Sequence, residues 1–202
     1  MSDSEAAFFE ASPGTAGVHL MLPLVGTARA TMRPYSQRHG AVFVAGWLGG
    51  EQSPNADALH WFCEEVLPAV LAQAPDFRLF VTGRQPPPSV MRRHGRHIVL
   101  IGVVDDLHDV YNRVRAAVVP TRVGAGVKNK FVEAIQYGVP VVSTTVGAEG
   151  VTGYTGSACV TDDAGAFAAA LVDLCLQESS WLVARRAAAK APASSVTHAL
   201  PV

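Results

Sequence analysis

From Ala41 onward the hydrophobic positions switch between two rhythms. Short unbroken apolar runs, AVFVAG (41–46), FRLFVTG (77–83), HIVLIG (97–102), AAVVP (116–120) and PVVST (140–144), predict buried strands. Between them the spacing is helical. In PNADALHWFCEEVLPAVLAQA (54–74), Leu59, Phe62, Val66 and Val70 form one stripe. DLHDVYNRV (106–114) predicts a helix with Asp105 or Asp106 as N-cap. PPPSVMRRHG, between the second and third strands, has room for a short helix at most. A short strand near ACVT (158–161) and helices over roughly 163–190 complete the pattern.

Strands that alternate with helices, and are apolar throughout, imply a parallel sheet covered on both faces. The expected fold is α/β, a doubly wound parallel sheet of Rossmann-like form with right-handed connections. This domain is expected over residues 41–190. Residues 1–40 form an N-terminal segment whose apolar piece is VHLMLPLV (18–25), and 191–202 form a flexible tail without period.

A chain of 202 residues, 49% hydrophobic and 16% charged, is an ordinary globular one. Its net charge of −1 offers no global attraction for nucleic acid or anionic lipid, so any anion site must be local. Its 3 cysteines, Cys63, Cys159 and Cys175, lack metal-ligand spacing. Cys63 and Cys175 fall in apolar helical patterns and read as buried free thiols, which implies a reducing, cytoplasmic setting. No apolar run approaches the roughly 20 residues of a membrane span, and the start MSDSEAAFFE lacks a signal peptide's charge pattern. A peripheral position at the inner membrane face stays open.

Ligands of an open parallel sheet collect beyond the carboxyl ends of its strands. The loops GWLGGEQSPN (46–55), GRQPPP (83–88), GVVDD (102–106) and TRVGAGVKNK (121–130) meet there. A glycine directly after the strand, such as Gly46, serves a tight turn or lets backbone approach a ligand. The last loop is the most informative. It gathers Arg122, Lys128 and Lys130 around Gly124 and Gly126, just where the next helix begins. Structure alone prefers acidic residues at that positive end of the helix dipole. Free helix N–H groups and local cations together make a cradle for a diphosphate. At about 100° per residue, Phe131, Ala134, Ile135 and Gly138 share the core face, with Lys130 and Glu133 at its border. A plain surface Lys–Glu pair, worth about 0.2–0.5 kcal/mol, explains those two residues equally well, though Lys on the N-terminal side is the poorer order.

The run from Gly124 to Thr144, G-A-G-x-K-x-K-x-x-E-A-x-x-x-G-x-P-V-V-x-T, closely resembles the glycosyltransferase group 1 family (retaining, GT-B fold). GWLGGEQSPNADALHWFCEEVLP, LFVTG, IGVVDDLHDVY and VGAEGV extend the likeness over roughly residues 18–190, which look like the family's C-terminal, nucleotide-sugar-binding lobe. The resemblance implies a UDP- or GDP-linked sugar as donor substrate, no further cofactor and no metal. It implies a hydroxyl acceptor on a glycan or lipid-linked chain, as in polysaccharide biosynthesis. Within it, Arg122, Lys128 and Lys130 hold the diphosphate with the Gly124 and Gly126 backbone, Glu133 bonds the ribose, and main chain near Val103 lines the base. Arg122, Lys130 and Glu133 are the residues expected to carry the transfer, with Gly46, Val103, Gly124, Gly126 and Lys128 binding the donor.

Two departures stand out. Many relatives place a second Glu where Ala125 stands, so sugar contact falls to loop backbone. The acceptor-binding N-terminal lobe is essentially missing, with VHLMLPLV looking like the interdomain strand. The expectation is half an enzyme, which self-associates or needs a separate acceptor-lobe subunit. A non-catalytic nucleotide-binding module, a truncated frame and a nucleotide-sugar epimerase are the alternatives. Other polar residues suggest less. His60, His94, His97 and His108 read as solvated or capping, Glu64 and Glu65 as solvent-facing, and Glu149 as a weak candidate near the donor sugar. Neither a G-x-S-x-G elbow, a Cys–His arrangement nor an Asp-x-Asp motif occurs.

Overall fold

The computed structural model describes Ala11 and residues 32–190. The VHLMLPLV stretch and the 191–202 tail, both assigned from sequence, lie outside the described residues. After a 3-10 turn at Tyr35–Gln37 come β1 (Ala41–Trp47), α1 (Pro54–Trp61), a π turn (Phe62–Val66), α2 (Leu67–Gln73) and β2 (Leu79–Arg84). Then follow α3 (Pro88–Met91), β3 (Ile98–Gly102), α4 (Leu107–Tyr111), β4 (Ala116–Val119), α5 (Asn129–Gln136), β5 (Val141–Ser143), β6 (Ala158–Val160), α6 (Ala164–Leu176) and α7 (Glu178–Lys190). All strands pair in parallel, in the order β3-β2-β1-β4-β5-β6, so the expected doubly wound sheet is present.

The apolar strands feed two cores. On one face Phe43 meets Leu59, Phe62, Val66, Val70, Phe167 and Leu171. On the other, Val42 and Val119 meet Tyr111, Phe131, Ala134 and Ile135. The stripe read from residues 54–74 is wholly buried, yet that helix is not uniform. Pro68 has no N–H for the preceding turn, and the chain widens into the π turn just before it. The 106–114 helix is shorter than its pattern, and Asp106 caps it by accepting from the His108 N–H at 2.8 Å.

Residues 32–40, assigned from sequence to the N-terminal segment, pack onto this domain. Arg38 is 1% exposed, and its guanidinium donates to the carbonyls of Tyr111 and Val114 at 3.0 and 2.9 Å. It also donates to the Asn112 side chain and the Arg33 carbonyl, and lies 5.3 Å from the Trp181 ring centroid. A cation there complements the negative end of α4. Burial lowers its pKa to about 10.

Candidate functional site

The strand order reverses at β1, which pairs with β2 on one side and β4 on the other. The crevice beyond the carboxyl ends at such a point is the natural ligand site of an open parallel sheet. The β1–α1 loop and the glycine loop before α5 converge there.

Ser53 caps α1, accepting from the Ala56 N–H at 3.1 Å while its hydroxyl donates to the Leu48 carbonyl. This fixes Asn55 in the first turn. The Asn55 Nδ2 donates to the carbonyls of Ala45 and Trp47 at 2.8 and 2.7 Å, so its Oδ1 must face the other way. There it accepts from the Lys130 Nζ at 2.6 Å. The ammonium lies 4.7 Å from the centroid of the Phe43 ring. Lys130 therefore reaches across the crevice to α1 rather than standing in a surface pair. Burial, with the like charge of Lys128, lowers its pKa to about 8, and Glu133 acts in the opposite sense. Glu133 is half-buried, and burial raises its carboxyl pKa against the pull of Lys130.

The other cations are committed differently. Arg122 bonds Asp57 through Nη2 at 2.7 Å and Nε at 3.2 Å, on the same turn of α1 as Asn55. It sits on the rim of the site, paired with that carboxylate. Lys128 turns back over its own loop, donating to the Gly126 and Gly124 carbonyls and to Glu149 at 3.3 Å. It closes the glycine loop instead of facing the crevice, and Glu149 serves as its partner. Gly124 and Gly126 have φ of +115° and +82°, a region costly to side chains by about 1–2 kcal/mol. Gly46 has φ +67° and no atom within 4 Å of where a Cβ would stand, so the backbone conformation, not a close contact, selects glycine.

Helix α5 starts with no side-chain cap and no acidic residue in its first turn. The start of the helix beside Lys130 is therefore left without a side-chain acceptor, an arrangement that suits an anion. Behind it, the Thr144 hydroxyl donates to the Thr121 carbonyl and accepts from the Gly147 N–H at 3.0 Å. A Cβ on Gly147 would fall 2.4 Å from Ser143 Oγ and 2.5 Å from the Val119 carbonyl oxygen, so only glycine closes this floor. Val103 follows β3 and is 72% exposed. It lines a cavity of about 770 Å³ with Phe80, Ile101, Asp106 and Val110, on the face of the sheet that carries α4 and α5.

Sequence reading missed Asn55 and Asp57. Both stand in the first turn after a Ser-Pro helix start, a signal that marks the cap but not its partners across the crevice. His108 is buried against Tyr137, not solvated, with ring centroids 5.8 Å apart. Cys63 is half-buried and Cys175 buried, both free, with burial raising their pKa to about 11 and about 12. Among the described residues no cluster of His, Cys, Asp or Glu could hold a metal ion.

The sequence model of glycosyl transferases group 1 matches residues 42–177, more than half of the chain. The chain belongs to this family. Among curated proteins none matches it. Its fold is similar to that of Staphylococcus aureus TarM, a mutant of which was solved in complex with fondaparinux, alpha-GlcNAc-glycerol and UDP. That likeness has a TM-score of 0.72 at 11% identity and covers 97% of this chain and 41% of TarM. The pneumococcal O-GlcNAc transferase GtfA, solved with UDP and GlcNAc, gives a TM-score of 0.63 at 16% identity, over 96% of this chain and 41% of that one. The C-terminal domain of the Francisella tularensis group 1 protein LpcC gives 0.58 at 14% identity, over 81% of this chain and 91% of that domain. The chain thus has the Rossmann-like architecture of a GT-B lobe, and spans about two fifths of the two larger relatives.

Proposed function

We propose that this chain is the donor-binding lobe of a retaining glycosyltransferase that uses a UDP- or GDP-linked sugar. The observation that carries the reading is Lys130, a partly buried ammonium aimed into the crevice by Asn55, with a pKa lowered to about 8. A cation held there below its ordinary pKa lacks compensating charge, and a diphosphate supplies it. When the glycosidic bond breaks, negative charge grows on the leaving diphosphate, and Lys130 with the α5 N–H groups stabilises it. Glu133 binds the ribose, and the groove at Val103 receives the base. Arg122 can exchange Asp57 for phosphate at the rim. The acceptor is a hydroxyl of a glycan or lipid-linked chain, presented by a second lobe that closes over the crevice. Met91 and Val123, exposed around the carboxyl edge of the sheet, suit such a cover. The setting is cytoplasmic.

Calorimetry with UDP and GDP against uridine and guanosine tests the reading. Lys130→Ala should weaken the matching nucleoside diphosphate by about 1.5–3 kcal/mol, as for a charged hydrogen bond, and barely change the free nucleoside. Glu133→Ala should weaken both. Equal losses for nucleoside and diphosphate on Lys130→Ala would refute the assignment.

A further inference from the structure

Trp47 is 49% exposed, whereas Trp61 and Trp181 are 8% and 1% exposed. Its indole is nevertheless fixed. The Nε1–H donates to Gln85 Oε1 at 2.8 Å. One side of the ring lies on the backbone of Gly49, where a Cβ would fall 1.8 Å from the ring atom Cε2. Gln85, at φ +54°, is the single non-glycine residue with positive φ among the described residues. A strained residue that holds an apolar ring open to water is a poor arrangement for stability alone.

The ring borders an open depression of the surface that is also lined by Glu51 and Ser53. The Glu51 carboxylate is anchored beside it by the Ser89 N–H at 3.2 Å and by the Ser89 hydroxyl. His60 Nε2 stands 3.0 Å from that same hydroxyl. An aromatic face beside a fixed carboxylate offers apolar contact and hydrogen-bond acceptors together.

The location selects the ligand. The Trp47 carbonyl accepts from Asn55, whose Oδ1 holds Lys130, so the platform is tied directly to the cation of the crevice. Leu48, next to the ring, packs in the core with α1, whereas Glu133 stands on α5, which packs on the opposite face of the sheet. With the nucleoside on the α5 side and the diphosphate at Lys130, what continues past the diphosphate toward α1 is sugar. We infer that Trp47 is a platform for a pyranose ring, stacking on its C–H face, with hydroxyls bonded to Glu51. This rests on the proposed function for the order of the ligand groups. The ring belongs either to the donor sugar or to the acceptor glycan.

Because the other two tryptophans are buried, iodide quenching of the full chain's fluorescence reports on Trp47. The probes are UDP, GDP, UDP-glucose, UDP-N-acetylglucosamine, GDP-mannose, maltotriose and chitotriose. Shielding by a nucleotide sugar but not by its nucleoside diphosphate assigns the donor ring, and shielding by a free oligosaccharide assigns the acceptor. Trp47→Ala should lower affinity for the shielding ligand about tenfold. Gly49→Ala, which displaces the ring and keeps its area, should do the same. The proposal is overturned if no probe shields Trp47, if UDP or GDP shields it as well as their sugars do, or if both variants bind the shielding ligand normally. Diphosphate binding that persists without any sugar shielding overturns the platform and leaves the Lys130 assignment standing.

Discussion

The Nζ of Lys130 lies 2.6 Å from the Oδ1 of Asn55, 75 positions earlier in the chain. The amide aims the cation and accepts one hydrogen bond from it, but it brings no negative charge. Burial and Lys128 therefore leave the ammonium destabilised, and the first two expectations follow from that imbalance.

Affinity for a nucleoside diphosphate should fall as pH rises through about 8, the lowered pKa of Lys130. The diphosphate favours the charged form and raises this pKa on binding, so full affinity belongs to the range below 8. Above it, binding takes up a proton and weakens by up to about tenfold per pH unit. Calorimetry between pH 7.5 and 9, in buffers of different ionisation enthalpy, measures both effects. Affinity flat across that range would contradict the assignment.

Lys130→Met should lose diphosphate binding and yet melt at a higher temperature than the parent at pH 7. The folded pKa of about 8 lies below the ordinary 10.5. Below pH 8 the folded parent carries the buried charge, and between 8 and 10.5 it sheds the proton before the unfolded chain does, so its handicap fades. The variant's advantage, about 1–3 kcal/mol, should thus shrink as pH rises toward 10.5. A parent that outlasts the variant at pH 7 would count against this account.

Arg122→Ala and Lys128→Ala should weaken diphosphate binding less than Lys130→Ala does. Arg122 is already paired with Asp57, and Lys128 is spent on the Gly124 and Gly126 carbonyls and Glu149. For Lys128→Ala the larger change should be looser packing of the glycine loop, visible as faster amide exchange at Gly126. Equal or greater losses at either residue would shift the main phosphate contact away from Lys130.

Arg38→Met should destabilise the domain by about 3–5 kcal/mol, because it strands the buried carbonyls of Tyr111 and Val114. Arg38→Lys should rescue little, since one ammonium cannot reproduce the planar fork that reaches Arg33, Asn112 and both carbonyls. Urea denaturation measures both variants, and a loss below about 1 kcal/mol for Arg38→Met would show that water replaces these bonds.

Local pattern determined the elements. Strand runs such as Ala41–Ala45 and the stripe Leu59, Phe62, Val66 and Val70 appear where the sequence puts them, because burial on a sheet face or helix face imposes its period directly. The glycine loop and the uncapped start of α5 were legible for the same reason, being chemistry confined to neighbouring residues. The π turn at Phe62–Val66 was within reach, since Pro68 announces a missing donor. What the sequence could not determine is where the long polar side chains end. Lys130 lies beside Glu133 on a helical wheel but bonds Asn55, and Arg122 bonds Asp57, 65 positions away. Trp47 and Gln85 meet across a gap of 38. A periodicity fixes only the face from which a side chain leaves its element. The parallel pairing of β1 with both β2 and β4 decides which loops share the crevice, and so which partner a flexible cation finds there.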